Sequence, residues 1–94
     1  MKIVFIDGEK IDSVKSLHEL FASSLSFPDY YGKNLDALYE CLCETPKPVG
    51  VIVVNVKALE KTLCRRSKGF FRVLEDVAGE YEDFKLLIDP FEQE

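Results

Sequence analysis

The apolar positions of this chain fall into two kinds of block. Short runs of β-branched and aromatic residues alternate with longer stretches in which apolar residues recur at helical spacing. Lys2 to Ile6 is the first run; bounded by Asp7-Gly8, it predicts a buried strand followed by a tight turn. Ser13 is a candidate N-cap for a helix through Leu25, with Val14, Leu17, Leu20, Phe21 and Leu25 on one face. His18 lies at the edge of that face, where a lone His is more often a partly buried structural residue than a catalytic one. Pro28 closes the segment, since its ring and missing N–H cannot continue a helix.

Asn34 is the next candidate N-cap, for a helix over about Leu35 to Cys43. Wound at helical pitch, Leu35, Leu38, Cys41 and Leu42 fall on one core-facing stripe, and Asp36, Tyr39, Glu40 and Cys43 on another. Thr45-Pro46-Lys47-Pro48 is a stiff connection that blocks further helix. Val49 to Val56, VGVIVVNV, is the pattern of a parallel strand covered on at least one face. Lys57 to Arg65 predicts a short third helix with Ala58, Leu59, Leu63 and Cys64 inward. Ser67 is the candidate N-cap of a fourth, about Lys68 to Glu80, with Phe70, Phe71, Val73, Leu74, Val77, Ala78 and Tyr81 on its stripe. Arg72, Glu75, Asp76 and Glu80 occupy its outer side. Phe84 to Ile88 reads as the last strand, stopped by Asp89-Pro90, with 91–94 as a frayed tail. Strands separated by helical crossovers predict an α/β fold, a three-stranded parallel sheet packed with four helices in two layers, and one domain over 1–94.

Composition narrows this only slightly. Ninety-four residues with 47% hydrophobic content suit a single globular unit, and no apolar run approaches the roughly 18 residues needed to span a bilayer. The start, MKIVFID, reads as a strand rather than a signal peptide, so a cytoplasmic protein that engages no membrane is expected. Three cysteines without a CxxC predict reduced thiols, with Cys41 in the core, and suggest neither a zinc ribbon nor a thioredoxin-type site.

Charge changes the picture more. The net charge is −5, yet residues 57 to 72 carry six basic side chains against Glu60 alone, while residues 75 to 94 carry eight acids against Lys85. Overall acidity favours a basic partner over nucleic acid; the basic segment keeps a phosphate-binding hypothesis open beside the plainer one of a solvated flank.

The candidate chemistry concentrates in Phe27 to Leu42, FPDYYGKNLDALYECL. Its helix can anchor one face while showing Asp36, Glu40 and the Tyr39 ring on the other, after a loop that adds the rings of Tyr30 and Tyr31. Tyrosines beside carboxylates suit recognition of something cationic, although most acid stripes on helices are only solvated faces. There is no GxGxxG, P-loop, HExxH or nucleophile elbow, nor a second His for a metal cluster. The chain reads as a binder rather than an enzyme, with no cofactor.

With Tyr30-Tyr31-Gly32-Lys33-Asn34-Leu35-Asp36-Ala37-Leu38-Tyr39-Glu40-Cys41-Leu42 in view, the chain resembles the barstar family of intracellular ribonuclease inhibitors. The resemblance runs more loosely from the first strand, through Leu17-His18, to the last strand, and the family's sheet and helices agree with the order read above. It implies an immunity protein, monomeric when free, that plugs the basic cleft of a secreted barnase-like ribonuclease or a related toxin. By position, Glu40 would enter the phosphate pocket, Asp36 would meet a second basic site, and Tyr30 would stack on the rim. Tyr39 would support the contact, Asn34 would offer hydrogen bonds at the helix start, and Asp76 would add a peripheral charge pair. Cys43 on the outward stripe and Glu44 after it complete the expected surface. The chain departs from the family pattern at four places: Glu40 stands for Asp, Tyr39 for Trp, Glu44-Thr45-Pro46 for a Gly-Trp turn, and Asp76 for Glu.

Overall fold

A computed structural model describes residues 1–89; the expected stop at Asp89-Pro90 and the tail 91–94 lie wholly or partly outside the described residues. The elements are β1 (Lys2–Asp7), α1 (Val14–Leu25), α2 (Leu35–Glu44), β2 (Val49–Val54), α3 (Val56–Leu63), α4 (Arg66–Glu80) and β3 (Phe84–Ile88). Both strand pairings are parallel and the order is β1-β2-β3, so β2 is central, with Val4 opposite Val51 and Val51 opposite Leu86. This is the α/β architecture that the apolar spacing predicts.

The two faces of the sheet differ. Val4, Ile6, Val49, Val51, Val53 and Phe84 point under the helices and are buried. α1 packs on β1, α4 packs on β3, and α4 also contacts α2 and α3. On the other face Ile3, Phe5 and Leu87 are exposed. The expectation of a buried first strand is therefore corrected: β1 is an edge strand covered on one side, because a two-layer packing shields only one face.

Helix ends show why the boundaries moved. α1 opens with a capping box, Ser13 Oγ accepting from Ser16 N at 3.0 Å and Ser16 Oγ accepting from Ser13 N at 3.2 Å. Such a cap stabilises the helix by about 1 kcal/mol. α1 stops before Pro28, where Ser26 turns left-handed (φ 58°) and Phe27 N donates to Ala22 O at 2.9 Å. β2 ends at Val54 rather than Val56, because Asn55 is left-handed (φ 55°) and begins the turn into α3. Its Nδ2 donates to Asp7 Oδ1 at 2.7 Å and joins the ends of β1 and β2. Gly8 is required beside this joint, since a Cβ there would lie 2.1 Å from Asn55 O.

The third helix is also shorter than expected. It stops at Leu63, and Cys64, expected inward, is exposed with φ 55°. Ser67 does not cap the fourth helix from outside; it is buried in the first turn of α4, and its hydroxyl donates to Cys64 O at 2.9 Å. All three thiols are free, and Cys41, expected in the core, is half-buried at its edge. No helix among the described residues is long and apolar enough to cross a membrane.

Candidate functional site

The loop before α2 is pinned by one of its two tyrosines. Tyr31 is buried, its hydroxyl 2.6 Å from His18 Nδ1, and its ring meets Phe27 edge-on with centroids 4.9 Å apart. His18 also packs against Phe70 of α4, with centroids 5.0 Å apart. Burial, with Lys33 nearby, lowers the His18 pKa below its ordinary value, which favours the neutral imidazole. Burial likewise raises the Tyr31 phenol, with the Cys41 thiol adding to the effect. Anchored through Tyr31, the loop presents Tyr30 to solvent at 88% exposure. Of the two rings expected to be available for recognition, only Tyr30 is.

α2 then starts where the sequence places it. Asn34 Oδ1 accepts from Ala37 N at 2.8 Å, so this candidate site residue spends its carbonyl on the helix cap. Leu38 and Leu42 are fully buried and hold the inner face. At the other end Lys47 Nζ donates to the carbonyl oxygens of Leu42, Cys43 and Thr45 at 2.9–3.0 Å and sits 4.1 Å from the Tyr81 ring centroid. The connection after α2 is thus tied to the helix terminus by a cation that satisfies its orphan carbonyls.

The outward stripe divides. Asp36 and Glu40 are exposed, and with Tyr39 they face Val73 and Asp76 of α4 across an open groove of about 540 Å³. Among the described residues none of Asp36, Glu40 and Asp76 has a basic side chain within ion-pair distance. Three like charges round one groove, without internal partners, set a negative potential that a cationic ligand would relieve. Tyr39 and Cys43 are half-buried instead of outward. The Tyr39 hydroxyl donates to Glu80 at the end of α4, 2.7 Å from Oε1 and in contact with Oε2. That bond, more than its partial burial, raises the Tyr39 pKa. Cys43 interacts with Tyr39 and Tyr81, and the Tyr81 phenol is raised chiefly by its hydrogen bond to Cys43. The correction has a simple physical cause: α4 packs along α2 and covers one edge of the stripe.

Glu44 and Tyr30 meet elsewhere. With Pro46 they border a smaller depression of about 270 Å³ that does not include the groove acids. The structure therefore gathers Asp36, Tyr39, Glu40 and Asp76 in one place, Tyr30 and Glu44 in a second, and leaves Asn34 and Cys43 with structural contacts. Glu80, expected only as an outer-side residue of the fourth helix, proves to be the partner of Tyr39 in this region. Its signal was present, since it lies one turn beyond Asp76 on α4, but its partner Tyr39 is 41 positions away. Among the described residues no cluster of His, Cys, Asp or Glu is arranged to hold a metal ion.

Comparison with known proteins bears on the family of the chain. A relative from Bacillus subtilis (strain 168), described as "Putative ribonuclease inhibitor YrdF", is 32% identical over 91 residues, covering 95% of this chain and all of that protein. Residues 1–89 match the family described as Barstar (barnase inhibitor), a match that spans the sheet, all four helices and the loop that carries Tyr30. The chain belongs to the barstar family.

Proposed function

We propose that this protein inhibits a small basic ribonuclease by occupying its active-site cleft with α2 and the loop before it. The observation that carries the reading is the groove acid set: Asp36, Glu40 and Asp76 are exposed, convergent and unpaired by the protein's own described cations. A site that cleaves RNA gathers Arg, Lys and His to hold phosphate, and those charges repel one another when the site is empty. Carboxylates on a capped helix relieve that repulsion and exclude substrate by occupancy. Opposite potentials also steer the encounter, toward roughly 10⁸–10⁹ M⁻¹s⁻¹ at low salt. Glu40 is the central contact, Asp36 a second, Tyr30 a ring for the rim, and Asp76 a peripheral charge. The family match and the description of the Bacillus subtilis relative support inhibition as the role.

The experiment is to titrate the protein against a panel of small basic ribonucleases and follow RNA cleavage. Stoichiometric inhibition of at least one, lost on Glu40→Ala, is expected. A barstar-like module for a different basic protein or toxin is the second reading. It is favoured by one feature, the turn at Glu44–Lys47, which Lys47 and the Thr45 hydroxyl (2.6 Å from Cys41 O) hold in its own shape. Co-purification of a basic partner without ribonuclease activity would select that reading.

A further inference from the structure

Leu35 has a second recess on its other side, of about 430 Å³. Its apolar wall is Val14, Leu35 and Phe70, and its rim carries Lys33, Arg65 and Arg66. The backbone explains why the cations gather there. Lys33 is left-handed (φ 54°) just before the cap of α2, and the break at Cys64 (φ 55°) turns the chain so that Arg65 and Arg66 open α4 beside it. Gly69 keeps the wall thin, since a Cβ there would lie 2.6 Å from Leu35 Cδ1.

Two observations separate this recess from a solvated basic flank. Among the described residues neither Arg65 nor Arg66 has a carboxylate within ion-pair distance, and Lys33 has only the exposed Glu19 at 3.5 Å. α4 also begins here with no side-chain cap and no acid in its first turn, so its positive end adds to the three cations. An apolar wall under a cationic rim is a poor seat for a bare ion, which would leave the wall wet, and for a neutral ring, which would leave the cations unmatched.

We propose that this pocket binds a small anion carrying a flat apolar ring. The ring lies on Phe70, Leu35 and Val14, and the phosphate or carboxylate sits between Arg65, Arg66 and Lys33. The guanidinium groups suit this task because each offers paired donors to two acid oxygens. The site is distinct from the acid groove and does not depend on ribonuclease inhibition.

Calorimetry and amide NMR on the full chain, with no nuclease present, test it using phenyl phosphate, benzoate, adenosine monophosphate, inorganic phosphate and phenol. Phenyl phosphate is expected to shift the amides of Leu35, Gly69 and Phe70, with inorganic phosphate and phenol each weaker by about tenfold or more. The double variant Arg65→Gln/Arg66→Gln, at exposed positions, should weaken phenyl phosphate by about tenfold or more while leaving the NMR spectrum folded. Tightest binding by adenosine monophosphate identifies a nucleotide as the source of the acid group, and tightest binding by benzoate a carboxylate; either supports the pocket. Equal affinity for inorganic and phenyl phosphate, unchanged binding by the double variant, or no shift at these amides at saturating ligand would each overturn it.

Discussion

The groove between α2 and α4 and the recess at their N-terminal ends share the side chain of Leu35 and little else. Asp36, Glu40 and Asp76 surround the first; Lys33, Arg65 and Arg66 rim the second. A net charge of −5 describes neither. Nor do the charge blocks along the chain, since among the described acids of the C-terminal block Asp76 alone lines the groove, beside Asp36 and Glu40 from α2. Surface potential is thus set by which helix ends and faces packing brings together, and neighbouring surfaces of one short chain can be selective for opposite charges.

The sharpest way to break this contrast is to remove one charge from each side and measure ribonuclease inhibition. On the proposed function, Glu40→Ala should leave partner cations buried and unmatched, an expected loss of about 2–5 kcal/mol, or roughly 30-fold to several thousand-fold in the inhibition constant. Arg66→Gln, across Leu35, should change the same constant by less than about threefold, as expected for a charge outside the contact. Similar losses from both would mean that the two surfaces act as one.

A somewhat smaller effect is expected where both regions lean on the same residue. His18 supports the loop through Tyr31 and touches Phe70 in the recess wall. His18→Leu should lower unfolding free energy in urea by about 1–3 kcal/mol, the cost of leaving the buried Tyr31 hydroxyl without its partner. The same residue gives a pH signature. Its folded pKa lies below the ordinary 6.5, so between the two values the unfolded chain binds more protons. His18 therefore adds a contribution that is fully present above about pH 6.5 and is lost as pH falls through the folded value. His18→Leu should flatten that part of the stability profile; an unchanged slope would assign it to another group.

Weaker still, Asp76→Asn should reduce inhibition by no more than about fivefold, the range of an exposed ion pair. Tyr39→Phe should have the smallest effect on inhibition. It removes the hydroxyl bond to Glu80 and is expected to speed amide exchange where α2 meets α4, with the groove acids still in place. A large loss of inhibition from Tyr39→Phe would show that the bond positions Glu40.

Particular residues show what could be read in advance. Asn34 and the Leu38–Leu42 spacing define α2 locally, because a cap and a helical period need only residues within one or two turns. For the same reason Asp36 and Glu40 were legible as a pair. Tyr30 and Tyr31 are adjacent and chemically identical, and nothing within the loop distinguishes them. The choice is made by His18, thirteen positions before Tyr31, which pairs with it and leaves Tyr30 outside. Cys64 misled the reading of α3 because the positive-φ turn there reflects how α4 must start, with Ser67 closing it.

The chain's own spacing of apolar and polar residues determined the order of strands and helices, the inner face of α2, and the presence of acids on its outer face. Those are short-range properties, governed by period and capping. Tertiary packing alone decided that Tyr39 and Cys43 turn toward α4, that Asp76 joins Asp36 and Glu40, and that Lys33 meets Arg65 and Arg66 over an apolar wall. Each of those outcomes depends on contacts between helix faces and ends far apart in the chain, which no local period encodes.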